Sequence, residues 1–119
     1  MKINGLFIAA VFFLTLCVLI LRPVPIPKEK NCLVVSGEVT SIFEAGVKDV
    51  VFKLKDNPTN YYINRGLEQG LTLDNLRAQL MNEEIIIKYP RYWTPLDPKN
   101  RTRHITKVEF GVEVIFSEI

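Results

Sequence analysis

Few residues in this chain are equipped for covalent or acid–base chemistry. It has one histidine, His104, and two cysteines, Cys17 and Cys32. A zinc-type site needs about four ligands at productive spacing, and this inventory does not supply them. A Ser-His-Asp arrangement would have to join His104 to Ser36, Ser41 or Ser117, and none of these serines has a nucleophile-elbow context. Glu83-Glu84 reads as a solvated strand edge rather than an acid/base pair. Gly66-Leu67-Glu68-Gln69-Gly70 has neither the dinucleotide glycine spacing nor the phosphate-loop lysine, and reads as a turn. The expectation is therefore no catalytic residue, no metal and no cofactor.

Binding chemistry is better supplied. Between Lys88 and Lys107 stand Lys88, Arg91, Lys99, Arg101, Arg103 and Lys107, opposed by Asp97 alone. Tyr92 and Trp93 lie among these charges, and aromatics interleaved with arginines can stack bases and neutralise phosphates. The plainer reading is that Trp93, flanked by Pro90, Pro95 and Pro98, closes one end of the fold while the charges stay solvated. Thr94-Pro95-Leu96-Asp97-Pro98 is a constrained loop in either case, and such a loop can present fixed side chains to a partner. Across the chain, 15 Lys and Arg face 13 Asp and Glu. That balance argues against nonspecific nucleic-acid binding over the whole surface.

The elements that must position these residues begin with an apolar run, Ile3 to Leu21, uncharged between Lys2 and Arg22. At about 1.5 Å per residue it is just long enough for a hydrocarbon core of about 30 Å. It is too long for a cleavable signal, it lacks an Ala-x-Ala-like site, and Leu16 before Cys17 disfavours a lipoprotein signal. Residues 1–22 thus read as a transmembrane signal-anchor, giving a single-pass membrane protein. The positive-inside tilt, with Arg22, Lys28 and Lys30 after the run, points to a cytoplasmic tail. The very short N-terminal flank points the other way and is preferred, placing the domain on the extracytoplasmic side. Residues 23–31, with Pro23, Pro25 and Pro27 alternating, read as a stiff, extended stalk. Residues 32–119 read as one small soluble domain.

Within that domain, Cys32 to Phe43 forms a long strand with Gly37 near its middle, marking a bend or bulge. Leu33, Val35, Val39 and Phe43 fall on one alternating face. Val50 to Leu54 places Val50, Phe52 and Leu54 inward and Lys53 outward. Tyr61 to Arg65 is a third strand after the turn at Asp56 to Asn60. Thr72 caps a helix running from Leu73 to about Met81, with Leu73, Leu76 and Leu80 on one face. Glu84 to Tyr89 and His104 to Phe110 are the fourth and fifth strands. After Gly111, Val112, Val114 and Phe116 continue the apolar alternation.

Three strands, a helix and two strands resemble the OB fold in element order: a five-stranded barrel with one helix between strands three and four. With the anchor, the whole looks like a small bacterial membrane-anchored domain. On an OB-like barrel, ligands meet strands two and three and the loops between strands one and two and strands four and five. The resemblance thus implies a surface of Lys53, Tyr61, Arg65, Arg91, Tyr92, Trp93, Arg101 and Arg103. The expected function is a membrane-tethered, non-catalytic binding or assembly module. Its expected partners are the lipid bilayer and a membrane or envelope protein. Binding of nucleic acid or another anionic ligand is the alternative, and an extracytoplasmic domain disfavours nucleic acid.

Overall fold

The computed structural model describes residues 4–21 and 28–119. Of the expected stalk, residues 23–27 lie outside the described residues, and the remainder carries a 3-10 turn at Glu29–Asn31. The first helix, α1, covers Gly5–Leu21 and has no buried residue. Its 17 residues rise only about 25 Å, short of the about 30 Å hydrocarbon core. No helix among the described residues is long and apolar enough to cross a membrane. The transmembrane signal-anchor and the single-pass membrane localisation expected from the apolar run are corrected accordingly.

The remaining elements are β1 (Leu33–Ala45), β2 (Asp49–Leu54), β3 (Asn60–Ile63), α2 (Leu73–Leu80), β4 (Glu84–Tyr89), β5 (Thr102–His104), β6 (Lys107–Phe110) and β7 (Glu113–Ser117). They form one open, mixed, seven-stranded sheet in the order β5-β3-β2-β1-β4-β6-β7. The five-stranded closed barrel is therefore also corrected. The expected fifth strand is broken by Ile105-Thr106 into β5 and β6. Those two residues lie between opposite parts of the sheet: the Ile105 N–H donates to the Tyr62 carbonyl and the Thr106 N–H to the Lys88 carbonyl. β5 pairs parallel with β3, whereas β6 pairs antiparallel with β4. The sheet must curl strongly for one short segment to serve both.

The helix expected after Thr72 forms as α2, between β3 and β4, and the Thr72 hydroxyl accepts from the Asn75 N–H at 3.3 Å. This satisfies one of the donors that a helix start leaves unpaired. Leu76 and Leu80 join Val50, Phe52, Ile63, Ile87 and their neighbours in a single core. The last strand departs from its expected alternation. Gly111 takes φ +61° in the β6–β7 turn, leaving Val112 fully exposed and Val114 half-exposed, and only Phe116 turns inward.

β1 departs in the way that matters most. Its first half pairs with β4 and its second half with β2, and the register slips between Val39 and Ser41. Such a bulge moves the following residues to the opposite face. Val39 and Ile42 are consequently buried in the core, and Phe43, expected beside Val39, is turned to the outer side opposite Val51. The bend is held from α2, where Arg77 Nε donates to the Ile42 carbonyl at 2.9 Å. Just beyond α2, the Asn82 N–H donates to the Val39 carbonyl and the Val39 N–H to the Glu83 carbonyl.

Candidate functional site

The ladders of β1, β2, β3 and β5 place side chains in straight rows across the outer face of the sheet. Phe43 pairs with Val51, Val51 with Tyr62, and Tyr62 with His104. These four residues form a cross-strand row in which side chains two apart along each strand share the face. The next row runs Ser41, Lys53, Asn60 and Thr102. On the other side, Ala45 pairs with Asp49, and Asn64 follows Tyr62 by two residues, just past the end of β3. A mainly apolar and aromatic row is thus bordered on both sides by polar ones.

The face is concave. A depression of about 420 Å³ is lined by Phe43, Val51 and Tyr62 with Asp49, Asn60 and Asn64 around them. A second, of about 190 Å³, lies under the loop after β4, against Tyr92, Arg103 and His104. Tyr62 and Thr102 line both, so the two depressions adjoin. Tyr62 meets the His104 ring edge-on, with centroids 5.4 Å apart. Burial, followed by the nearby Asp49, Tyr92 and Glu118, pushes its phenol above the ordinary 10.0. It therefore stays a neutral O–H through the physiological range.

His104 Nε2 lies 3.0 and 2.9 Å from the two Glu118 oxygens. This pair fastens the end of the chain to β5, and the Glu118 N–H adds a bond to the Thr106 carbonyl. Thr106 is fully buried; its hydroxyl donates to the Lys88 carbonyl and stands 3.4 Å from Cys32 Sγ. Cys17 and Cys32 are both free, and among the described residues no three His, Cys, Asp or Glu side chains group as a metal site.

The sequence-nominated residues scatter. Lys53 does lie on the face, in the row with Asn60. Tyr61 turns the other way, into the core at 3% exposure, and its hydroxyl accepts from Asn57. Arg65 stands beyond β3 in a left-handed turn; its N–H donates to Asp49 Oδ1 and its guanidinium pairs with Glu68 at 3.6 Å. Tyr92 and Arg103 border the smaller depression. Arg103 is engaged there, donating to the Tyr92 carbonyl and stacking over the Tyr89 ring at 5.2 Å. Trp93 Nε1 donates to the Pro98 carbonyl. Arg91 and Arg101 are exposed, and the Arg101 N–H is taken by Asp97. Of the nominated cations, Arg103 alone lines either depression.

Tyr62, Phe43, Asn60 and Asn64 are what sequence reasoning missed. A signal for three of them was present in and just after β3. Asn60, Tyr62 and Asn64 alternate with Tyr61 and Ile63, and the latter pair is the more apolar and takes the core. Compared with models of protein families and with curated proteins, the sequence finds no match.

Proposed function

We propose that this protein is a non-catalytic binding or assembly module whose recognition surface is the outer face of β1, β2, β3 and β5. The observation that carries this reading is the row Phe43, Val51, Tyr62 and His104, in which Val51 is buried and the other three are partly exposed in adjoining concavities between two polar rows. An apolar stripe with polar edges offers both burial and orientation to a ligand. The histidine is committed to Glu118 and, among the described residues, makes no side-chain hydrogen bond to a serine, threonine or cysteine, which favours binding over turnover. The exposed apolar side chains of α1, including Phe7, Phe12 and Phe13, support association with a lipid surface, without any crossing being implied.

The test is to titrate a neutral oligosaccharide, a deoxythymidine octamer and an uncharged peptide separately into the isotope-labelled full chain while following backbone amides. At least one is expected to move Phe43, Val51, Tyr62 and Thr102 as a contiguous patch. Shifts confined to another surface, such as β7, contradict the reading.

A further inference from the structure

We propose that this face takes a neutral, hydroxyl-rich oligosaccharide, laid across the strands over Phe43 and Tyr62. The inference rests on the reading of this face as the recognition surface, and identifies the ligand class. Three observations carry it.

The first is charge. Asp49 and Asp97 line the two depressions, against Arg103 as the lining cation. The Arg103 guanidinium is already spent on the Tyr92 carbonyl and the Tyr89 ring. A phosphate chain laid here would meet two carboxylates, because Lys53, Arg65 and Arg101 stand beside the row without lining either depression. The Asp49 and Asp97 oxygens also have fixed positions: Asp49 Oδ1 accepts from the Arg65 N–H, and Asp97 accepts from the Arg101 and Thr102 N–H groups.

The second is the supply of uncommitted polar groups. Among the described residues, the side-chain amides of Asn60, Asn64 and Asn100 and the Tyr62 hydroxyl make no hydrogen bond. A sugar hydroxyl is donor and acceptor at once. An amide side chain offers both roles from one planar group, and the neutral phenol offers both from one oxygen. The carbon-bound hydrogens of a sugar ring can lie over the apolar row while its hydroxyls reach the polar rows to either side.

The third is direction. The apolar row crosses four strands, and strands about 4.8 Å apart make it about 14 Å long. That length suits a chain lying across the face. An extended peptide adding to the sheet would instead use the edge at β5, where Asp97 already occupies the Thr102 N–H.

The test titrates chitotetraose, a tetrasaccharide of N-acetylglucosamine, into the full chain in sugar-free phosphocholine micelles. Amide shifts are expected to saturate at Asn60, Tyr62, Asn64 and Thr102. The affinity should be nearly independent of salt, because a neutral ligand releases no counterions. Tyr62→Ala should weaken binding about tenfold, the weight of one apolar ring contact, and Tyr62→Phe far less. Binding that Tyr62→Ala leaves unchanged overturns the proposal. If the peptide or the deoxythymidine octamer moves these amides and chitotetraose does not, the sugar assignment falls and the recognition face stands. If none of the three moves them, both fall.

Discussion

Phe43 and Ile42 are adjacent and both apolar, so alternation alone cannot decide which of them faces the core. The bulge after Val39 decides it, giving Ile42 to the core and Phe43 to the outer row. The same holds on β3, where Tyr61 and Tyr62 are identical in type and opposite in role. Here the residues beyond them settle the matter, because Ile63 belongs inside and Asn60 and Asn64 outside. Of the residues on or beside the candidate face, Lys53, Tyr92 and Arg103 were legible, since their outward or loop positions follow from local pattern. A second position in the same region is fixed by close packing. A Cβ at Gly66 would stand 2.8 Å from Val50 Cγ2 and 3.1 Å from Ile63 Cγ2, both on residues with no exposure. Gly66→Ala should therefore destabilise the domain by about 1–3 kcal/mol, the usual cost of overpacking. Urea unfolding checks this, and an unchanged midpoint would show that the β2–β3 packing yields.

Among the elements, α2 was legible because everything that specifies it is local: the Thr72 cap and the spacing of Leu76 and Leu80. The break between β5 and β6 was not, because it depends on carbonyls of Tyr62 and Lys88 that are distant in sequence. The segment Glu29–Asn31 is held to the sheet in a similarly nonlocal way. Glu29 Oε1 lies 2.6 Å from Lys107 Nζ and 2.8 Å from Lys88 Nζ, and Glu109 Oε1 lies 3.1 and 3.6 Å from the same two nitrogens. The hydrogen bond from Lys107, then that from Lys88, holds the Glu29 carboxyl at about 2 against an ordinary 4.5. The Glu29 hydrogen bond correspondingly raises both lysines. A folded-state value below the unfolded one means the clasp is fully stabilising above about pH 4.5 and is lost as pH falls toward about 2. The wild type should thus be more stable than Glu29→Gln near neutrality, with the gap closing across that window. A gap independent of pH in urea titrations would show that the clasp contributes through shape alone.

At the scale of the whole molecule, two facts displaced the sequence-based picture. α1 is shorter than the apolar run that contains it, and the sheet is open, curled and seven-stranded. Composition and periodicity report strand segments well, but sheet order is set by which distant edges find partners. The resulting architecture divides the domain into a packed side, with α2 against β1, and a concave outer side carrying the row of Phe43, Val51 and Tyr62. The central claim is that this row is a recognition surface rather than part of the core. The double variant Phe43→Ser/Tyr62→Ser tests it in one amide-correlation spectrum recorded with and without the oligosaccharide, peptide and octamer probes. The expected spectrum keeps its dispersion, showing an intact fold, and loses every probe-induced shift on the outer face. Collapse of the dispersion, or shifts that persist as in the wild type, would contradict it.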